Sequence, residues 1–534
     1  MIRRLRGGQA AIESLAEQGV DTIFGIPGIH TLEIYDALVD SPIAHILARH
    51  EQGAGFMADG YARASGKPGV CTVISGPGVT NVATSVGEAY TDSIPVLVLS
   101  ANVGKPWVDK MRGQLHDLAD QLGVMAAVTK WNARAATVAE IPSLVQIAFS
   151  HMLTGRPRPT QIEIPIDVLA EAGDVEIHRA EPLAALAPAP EALRRAADAI
   201  ERADRIVMYC GGGAAAAFDA TPFETLATVL GAPTFTSIMG KGSVSDRHPM
   251  AVRMPWRPRH GLDGPLREAD LAIVFGSKLG AEETDNQSMP LPDNLIRVDI
   301  DPEELYRNYQ PSLAIQADAA ATARALLAEL ERRNVRKHGS TADEIRELRE
   351  VAFASTFGKD HQPYIDALRS AIPDDGLLVA DVTSMGEVAC KRYPTYLPRT
   401  FLFPSTYGTL GYALPAALGA KVAQPDKTVV CVIGDGGFQY TMQELASAIQ
   451  AKLGVPIVVF NDCAYTLVKE SQASQYDRRF IGVDLKNPDF VKIAEAYGIA
   501  GIRCDTPAAM AQAIREAAQN ALPTIIEVPI VFPV

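Results

Sequence analysis

The pattern of apolar and polar positions divides most of the chain into short apolar runs that alternate with segments of helical periodicity. The clearest case is residues 428–467, where the apolar runs VVCVI and VPIVVF flank MQELASAIQ, which has helical spacing. Strands that alternate with helices predict parallel sheets, and parallel strands end at one edge of their sheet. The residues after the two runs, a predicted glycine turn at 434–437 (GDGG) and Asn461-Asp462, are therefore expected side by side.

The same alternation extends over the chain and indicates three domains. Residues 1–172 contain the apolar runs TIFG, HIL, VCTVI, VLVLSA and TQIEIPI, with helical segments between them, and the alanine- and proline-rich stretch LAALAPAPEA follows. A second set, RIVMYC, DLAIVF and NLIRVDI, lies within 188–335, and a third set lies within 355–534. The sequence predicts an α/β protein of three doubly wound parallel-sheet domains with these boundaries.

Composition narrows the class of protein. A chain of 534 residues is too long for one core, and 47% apolar with 21% charged residues is typical of a globular protein. The net charge of −14 disfavours nucleic acid as a partner. Six cysteines without a C-x-x-C pair suit a reducing compartment. No apolar segment is long enough to span a bilayer, so a cytoplasmic protein with no membrane partner is expected.

Two carboxylates at the predicted sheet edge point to a metal site. Asp435 and Asp462 are oxygen ligands of the kind that a hard cation prefers, and free amides of the glycine segment suit phosphates that such a cation bridges. An ordinary strand–helix–strand unit whose GDG is only a tight turn remains an alternative. The pairing of the two aspartates favours the metal.

GDGG, a helix, and an Asn-Asp pair 27 positions on (462 − 435 = 27) resemble the thiamine-diphosphate motif of the acetolactate synthase, benzoylformate decarboxylase and pyruvate oxidase superfamily. The resemblance implies thiamine diphosphate and Mg²⁺ as cofactors. It also implies that Asp435, Asp462 and the carbonyl of Ala464 hold the metal, where many members have Asn in place of Asp462. The further cofactor contacts implied in this segment are Gly434, Gly436, Gly437 and Tyr465.

Near the N-terminus, FGIPG, RHEQGAGFMADGYARASGKPGV and ISGPGVTN resemble, in order and separation, the pyrimidine-binding domain of the same family. Taken alone, Glu51 is a first-turn helix glutamate. The resemblance gives it another role: it hydrogen-bonds N1′ of the aminopyrimidine and promotes the imino tautomer that removes the C2 proton of the cofactor. Pro27 and Asn81 are implied as further cofactor contacts.

The third domain carries two more matching segments. In GLLVADVTSMGE, Thr383 and Ser384 are implied to contact the diphosphate. In STYGTLGYALP, the carbonyl of Gly408 is implied to accept from the 4′-amino group, and Leu410 to wedge beneath the cofactor, although Leu410 as plain core is equally compatible with the pattern. In the family the two cofactor motifs meet across a subunit interface, which implies a homodimer or a dimer of dimers.

The central domain gives a weaker signal. Its glycine segment, residues 211–213, is not a G-x-G-x-x-G, so a dinucleotide site is not indicated. The corresponding domain of the family binds FAD in some members and nothing in others. FAD is possible but not favoured.

The resemblance implies chemistry on a 2-oxo acid, and departures from acetolactate synthase favour decarboxylation. Release of an aldehyde needs an acid, and His116 and then His30 are the candidates, although a lone histidine is more often only a satisfied polar residue. Leu115-His116 replaces a Phe-Gln pair, and Ser471 replaces a tryptophan that shapes the acceptor pocket. The chain also stops at EVPIVFPV without the C-terminal lid of the family, so an open site or another cover is expected.

GIPGIHTLEIYDAL and GAEETDNQ resemble the 5-guanidino-2-oxopentanoate decarboxylase branch. Glu282, Glu283 and Asp285 are either carboxylates for a guanidinium or a solvated loop. The sequence thus predicts a non-oxidative 2-oxo acid decarboxylase that acts on a small-molecule substrate. A carboligase of the acetolactate synthase type is the alternative, followed by a flavin-dependent oxidase and an inactive binding homologue.

Overall fold

The computed structural model describes residues 2–179, 183–253, 263–354 and 358–533. Over these residues the chain forms three six-stranded sheets flanked by helices, and one two-stranded sheet. This confirms the predicted α/β class with three parallel-sheet domains. In the described ranges no helix combines the length and the apolar character needed to cross a bilayer.

The N-terminal sheet has the strand order β3-β2-β4-β5-β7-β6, with parallel neighbours, and β1 pairs antiparallel with β8. Every residue of β4 and β5 is buried, as expected for strands covered on both faces. The elements are β1 (Ile2–Arg6), α1 (Gly7–Glu17), β2 (Thr22–Gly25), α2 (Leu32–Val39), β3 (Ala44–Leu47), α3 (Glu51–Ser65), β4 (Gly69–Val73), α4 (Pro77–Asp92), β5 (Val96–Asn102), α5 (Gln121–Ala126), β6 (Trp131–Arg134), α6 (Ile141–Leu153), β7 (Thr160–Pro165), α7 (Ile166–Ala170) and β8 (Ala172–Glu176).

The central sheet has the order β11-β10-β9-β12-β13-β14, also with parallel neighbours. The N–H of Gly211 donates to the carbonyl of Phe275 (2.8 Å) and that of Gly213 to Gly276 (3.0 Å), so these two amides are engaged by the protein's own backbone. These two hydrogen bonds do not test whether the central domain binds FAD. The elements are α8 (Pro190–Arg202), β9 (Ile206–Cys210), α9 (Gly212–Ala215), α10 (Thr221–Leu230), β10 (Thr234–Thr236), β11 (Ala251–Arg253), α11 (Asp263–Glu268), β12 (Leu271–Phe275), α12 (Ala281–Thr284), β13 (Leu295–Asp299), β14 (Leu313–Gln316), α13 (Ala319–Arg332) and α14 (Ala342–Phe353).

The third sheet has the order β16-β15-β17-β18-β20-β19, in which the neighbours β17, β18, β20 and β19 run parallel. Its elements are α15 (Gln362–Ala371), β15 (Leu377–Ala380), α16 (Ser384–Arg392), β16 (Phe401–Leu402), α17 (Ala413–Ala423), β17 (Val429–Gly434), α18 (Asp435–Thr441), α19 (Leu445–Gln450), β18 (Pro456–Asn461), α20 (Thr466–Gln475), α21 (Phe490–Ala496), β19 (Ala500–Arg503), α22 (Pro507–Ala517) and β20 (Thr524–Pro529). Short 3₁₀ turns occupy Ile29–Thr31, Val138–Glu140, Lys359–His361 and Met442–Glu444.

The predicted glycine turn at 434–437 is wrong. Gly434 ends β17 in an ordinary extended conformation (φ −84°, ψ 161°), and α18 begins at the next residue, Asp435. The strand therefore passes directly into the helix, which needs no left-handed residue. The consequence is that Asp435 lies in the first turn of a helix.

By packing, the described chain divides into two compact units. Unit 1 contains residues 1–183, 379–384 and 406–534, and unit 2 contains 184–378 and 385–405. The predicted boundaries at 172, 188, 335 and 355 stay a prediction, and residue 355 lies outside the described residues.

Within unit 1, α3 and α17 pack with their backbones in close contact. A Cβ on Gly60 would lie 2.0 Å from the carbonyl oxygen of Ala416, and one on Gly419 would lie 1.9 Å from that of Met57. Side chains larger than hydrogen at these two positions would separate the helices. This contact fixes the start of α3, where Glu51 lies, against the third domain.

Candidate active site

Asp435 and Asp462 follow two neighbouring strands at the same edge of the third sheet. In the parallel pair β17 and β18, Gly434 is aligned with Phe460, so each aspartate stands just beyond its strand end. Burial raises the pKa of Asp435 to about 6, and the charge of Asp462 adds to that shift. Burial also raises the pKa of Asp462. Two partly desolvated carboxylates that repel each other are a donor set that a hard cation would stabilise.

Neighbouring polar side chains hold the two carboxylates in place. Asn487 Nδ2 donates to Asp435 Oδ2 (2.5 Å) and to Asn461 Oδ1 (2.9 Å), and Thr466 Oγ1 donates to Asp462 Oδ2 (2.5 Å). The sequence analysis missed Asn487, because nothing in the polar stretch DLKNPDF marks it. Among the described residues no three His, Cys, Asp or Glu side chains gather as a metal site, and the predicted set needs only two carboxylates and the carbonyl of Ala464.

The glycines beside Asp435 let two neighbouring side chains pack directly against their backbone. A Cβ on Gly436 would lie 2.4 Å from the ring of Tyr465, and one on Gly434 would lie 2.8 Å from Cγ2 of Thr383. Thr383 follows β15 and Tyr465 follows β18, so residues from three strand ends meet at these glycines. Paired carboxylates beside the N-terminus of a helix are the kind of groups that a diphosphate and its cation use.

A buried carboxylate, Asp381, supports the segment that carries Gly408 and Leu410. It is fully buried and accepts from the N–H groups of Gly411 (3.0 Å) and Ala413 (3.3 Å), and burial raises its pKa to about 7. Gly408 is exposed with φ +72°, and Leu410 is half-buried. Leu410 is therefore not a fully buried core residue in this chain, and it keeps surface for another contact.

Glu51 stands in the first turn of α3, held at both its side chain and its backbone. Asn81 Nδ2 donates to Glu51 Oε2 (3.0 Å), and His50 caps the helix by accepting from the N–H of Gln52 (3.1 Å). From the third domain, the buried carboxylate of Glu444 accepts from the N–H groups of Arg49 (3.0 Å) and His50 (2.9 Å). Glu444, which the sequence analysis missed, thus ties the residues just before Glu51 to the segment that begins at Asp435.

His30 and His116 are brought together. Their ring centroids lie 5.4 Å apart with the rings at 86°, and His30 Nδ1 lies 2.6 Å from Ser75 Oγ. Burial lowers the pKa of His30, and His116 adds to that shift. His116 has φ +60°, and its carbonyl would be 2.6 Å from a Cβ on Gly76.

The SGPG turn (residues 75–78), whose last two residues begin α4, gathers the candidate groups. Ser75 contacts His30, Gly76 contacts the backbone of His116, and a Cβ on Gly78 would lie 3.6 Å from Glu51 Oε1. The buried Gln121 fixes this turn by accepting from the N–H of Gly76 (2.9 Å). Gln121 was also missed, since a single Gln after LAD carries no local signal.

The candidate residues therefore form two groups within unit 1 of the described chain. Glu51, Asn81, His30 and His116 lie around the SGPG turn, and Thr383, Asp435, Gly436, Asp462 and Tyr465 lie at the edge of the third sheet. Pro27 is exposed and Ser384 is buried. Ser471 lies on α20.

The acidic residues of the guanidinium hypothesis lie in unit 2. Glu282 and Glu283 are on α12, and Asp285 follows it with φ +54°. The hydroxyl of Tyr209 lies 3.5 Å from Glu283 Oε2, and the charge of Glu282 contributes to a raised pKa at Glu387, which is caused first by burial. Their binding role stays a prediction.

Family models match in all three parts of the chain. The N-terminal TPP binding domain of thiamine pyrophosphate enzymes matches residues 5–124, the central domain matches 193–326, and the C-terminal TPP binding domain matches 381–528. These matches confirm the predicted use of thiamine diphosphate.

Several curated proteins are similar over nearly the whole chain. A probable 2-ketoarginine decarboxylase of Pseudomonas aeruginosa is 41% identical over 93% of this chain and 89% of its own. The large subunit of acetolactate synthase isozyme 1 of Escherichia coli is 34% identical over 99% and 94%, and a probable acetolactate synthase large subunit of Methanocaldococcus jannaschii is 33% identical over 98% and 92%. The predicted resemblance to the acetolactate synthase-like group and to its guanidino-acid branch is confirmed. The chain belongs to the thiamine pyrophosphate enzyme family.

Proposed function

We propose that this protein is a thiamine-diphosphate- and Mg²⁺-dependent decarboxylase of a 2-oxo acid whose side chain carries a guanidinium group. Similarity supports the reaction class, since the relatives named above are a decarboxylase and acetolactate synthases. The single observation that carries decarboxylation over ligation is the contact between His30 and His116 at the SGPG turn.

In this proposal Asp435, Asp462 and the carbonyl of Ala464 hold the metal. Gly434 and Gly436, against which Thr383 and Tyr465 pack, are the proposed contacts of the diphosphate. The amide end of α18 adds its dipole to the attraction for the phosphates. Gly437 and Ser384 complete the proposed contacts of this group.

Glu51 is the proposed acid that sets the tautomer of the aminopyrimidine. The bound cofactor supplies the carbanion chemistry that releases CO₂, and the protein binds, orients and moves protons. Asn81 donates to Glu51 Oε2, which leaves Oε1 for the ring nitrogen. Glu444 fixes the backbone just before Glu51. The Glu51 carboxyl is therefore oriented before the cofactor binds, which lowers the entropy cost of the contact.

The two histidines are proposed to deliver the proton that completes the aldehyde. His30 is buried with a lowered pKa, so near neutral pH it accepts a proton less readily than a free imidazole. His116 is more exposed and is the proposed exchange point with water, in contact with His30. A carboligase would instead need to keep protons away while a second carbonyl binds.

A guanidinium on the substrate is proposed from the relative with 41% identity, whose name specifies 2-ketoarginine. The net charge of −14 favours the approach of a cationic side chain. Carboxylates are the expected partners of such a group, because a guanidinium forms paired hydrogen bonds with them, and the part of Glu282 and Glu283 stays a prediction.

A homodimer is proposed as the smallest active form. Unit 1 exposes large apolar side chains, including Ile29 (71%), Leu32 (55%) and Leu115 (55%) near the His30 group and Val468 (53%) and Ile481 (83%) beyond the metal residues. Apolar surface of this kind marks sites of protein association. A second copy of the chain would bring one group of candidate residues to the other.

CO₂ release with thiamine diphosphate and Mg²⁺ tests the function. The matched substrates are 5-guanidino-2-oxopentanoate, an uncharged 2-oxo acid of similar length, and pyruvate, with products identified by mass. We expect the guanidino aldehyde with the highest kcat/KM. A 2-hydroxy-2-methyl-3-oxo acid from pyruvate would support the alternative, a carboligase of the acetolactate synthase type.

The role of Glu51 is tested separately by exchange of the cofactor C2 proton in D₂O. Glu51→Gln should bind thiamine diphosphate with affinity close to that of the wild type but slow the exchange by about 10²-fold or more, the size of a typical general acid–base contribution. Unchanged exchange would remove Glu51 from the mechanism. Glu17→Gln, on a distant helix of the same domain, is the matched control.

A further inference from the structure

Glu88 is a fully buried carboxylic acid that none of the roles above uses. It lies on α4, seven residues after Asn81 (88 − 81 = 7), so the two side chains stand on the same face of the helix. Asn81 contacts Glu51 at one end of this face. At the other end, Glu88 Oε2 accepts from the hydroxyl of Thr409 (2.6 Å) and from its N–H (3.3 Å).

Thr409 stands between the two residues proposed to touch the aminopyrimidine. Gly408 precedes it with φ +72° and is exposed, and apart from its two sequence neighbours no atom of the described residues lies within 4 Å of the position of a Cβ. Leu410 follows it, half-buried. The backbone around these residues therefore has few contacts of its own, and its geometry depends on the groups that hold it.

Several side chains hold this segment, among them Thr441, whose hydroxyl donates to the carbonyl of Gly411 (2.9 Å). Glu88 binds Thr409, and Asp381 binds the N–H of Gly411. The ring of Tyr407 lies over Gly87, where a Cβ would come within 2.8 Å of Cζ. Of these contacts, only the one through Glu88 is made to a residue that lies between Gly408 and Leu410.

Burial of the Glu88 carboxyl among other charged groups costs folding free energy. Asp59, Asp92, Arg63 and Tyr412 lie around it, and Arg63 bonds both aspartates. Burial, followed by the charge of Asp92, raises the pKa of Glu88 to about 8, and its Oε1 has no hydrogen-bond partner among the described residues. An apolar side chain would avoid this penalty, which indicates that the bond to Thr409 has a use.

We propose that Glu88 is a positioning residue that fixes the cofactor-contacting segment Gly408–Leu410 through Thr409. The proposal rests on the proposed function, because the roles of Gly408 and Leu410 come from it. Helix α4 then supports one proposed cofactor contact at each end of this face: Asn81 orients Glu51, and Glu88 orients the wedge. A neutral or an ionised carboxyl serves equally, since Oε2 accepts in both forms.

The test compares Glu88→Leu and Thr409→Val with the conservative variants Glu88→Gln and Thr409→Ser, which keep the acceptor and the hydroxyl. Thr91→Val is the matched control, because Thr91 lies on the same helix and its hydroxyl donates to the main-chain carbonyl of Glu88. The first readout needs no cofactor: hydrogen exchange of the peptide 405–412. We expect at least tenfold faster exchange in Thr409→Val and Glu88→Leu, and rates within threefold of the wild type in the other three.

The second readout is exchange of the C2 proton of bound thiamine diphosphate, with the dissociation constant measured in parallel. Thr409→Val should slow C2 exchange about tenfold and change the dissociation constant less than threefold, because the diphosphate group is held elsewhere. The double variant should be no slower than the worse single variant, since both break one contact. Thr409→Val is the decisive variant if Glu88→Leu does not fold.

Unchanged peptide exchange in Thr409→Val, or additive effects in the double variant, would overturn the positioning role. Failure of the proposed function looks different: the wild type itself would then show no C2 exchange, whereas the peptide measurement on the cofactor-free protein would still report the contact.

Discussion

Arg63 is the cation at the centre of the buried charges between α3, α4 and α17, and its removal should destabilise unit 1 strongly. Its Nε donates to Asp59 (2.6 Å) and its Nη2 to Asp92 (3.0 Å), with all three side chains at most 2% exposed. Arg63→Met keeps most of the volume and removes the charge. Asp59 and Asp92 are then left buried without a cation.

The size of the effect follows from the protons that the two acids must take up. Burial raises the pKa of Asp59 even with Arg63 present. If an orphaned aspartate stays protonated at pH 7 while its unfolded pKa is about 3.9, the cost is about 1.36 × (7 − 3.9), or about 4 kcal/mol for each acid. The same range, about 3–5 kcal/mol, is typical of breaking a buried ion pair on one side.

The sign of the pH dependence is a further check. A carboxyl group whose pKa is higher in the folded than in the unfolded state does not destabilise the fold at low pH, where both states are protonated. The free energy of unfolding then falls as pH rises from the unfolded pKa through the folded pKa. The penalty of Arg63→Met should therefore fall to about 2 kcal/mol per acid at pH 5.5. The variant should be closer to the wild type in acid than at neutrality.

Hydrogen exchange of peptides from α3 and α17, corrected for intrinsic rates at pH 5.5 and 7.5, measures the opening free energy locally. This avoids a two-state assumption for the whole chain. Arg63→Met/Asp59→Asn/Asp92→Asn should recover most of the loss, and Arg205→Met, which breaks an exposed pair with Glu268, should cost less than about 1 kcal/mol. A loss under about 1 kcal/mol at pH 7.5, or the same loss at both pH values, would refute the reasoning.

Three further predictions concern the site. Gly436→Ala places a Cβ 2.4 Å from the Tyr465 ring and so displaces that ring. The dissociation constant of thiamine diphosphate, measured by fluorescence quenching, should rise about tenfold or more, and an unchanged constant would contradict the proposed contacts of Gly436 and Tyr465. His116→Ala should lower aldehyde formation relative to CO₂ release and His30→Ala should do the same; equal product ratios in variants and wild type would return both to structural roles. Because the pKa of Glu88 is raised to about 8 in the folded state, from about 4.3 in the unfolded chain, its contribution to the free energy of unfolding should be lost as pH rises from about 4.5 to about 8. Glu88→Gln should flatten that part of the urea-unfolding profile, and a slope equal to that of the wild type would count against a raised pKa.

The fold class and the nature of the cofactor could be predicted because they depend on local patterns. Apolar runs such as VVCVI are buried along their whole length, and the spacing of Asp435 and Asp462 follows from one strand, one helix and the next strand. The conformation of residues 434–437 could not be predicted correctly, because a glycine can be present for either of two reasons. It allows a left-handed φ, and it lets a neighbouring group approach the backbone where a Cβ would stand. Here Gly434 and Gly436 have ordinary backbone angles, and the missing Cβ lets Thr383 and Tyr465 pack against the backbone.

The supporting residues could not be predicted because their partners are distant in the chain. Glu444 bonds the backbone of His50, 394 positions away, and Glu88 bonds Thr409, 321 positions away. Asn487 reaches back to Asp435 from a polar segment without periodicity. The sequence does not show whether the carboxyl of a helical acid faces water or accepts hydrogen bonds from a distant segment. Only the structure therefore identifies residues such as Glu444 and Glu88 as supports.

The packing of α3 on α17 has a consequence for synthesis of the protein. The end of α3 and the start of α17 are separated by 348 positions (413 − 65 = 348). Gly60 of α3 packs on α17 and Gly419 of α17 packs on α3, so each helix needs the other to cover this surface. At about 5–20 residues per second, a ribosome needs roughly 20–70 s to supply α17 after α3 has emerged. During that time Asp59 lacks its hydrogen bond from the hydroxyl of Tyr412, and the N–H of His50 lacks its acceptor, Glu444. A nascent chain that ends before α17 therefore displays an unfinished N-terminal domain, and an isolated fragment of residues 1–183 should need a chaperone or the C-terminal segment supplied in trans to remain folded.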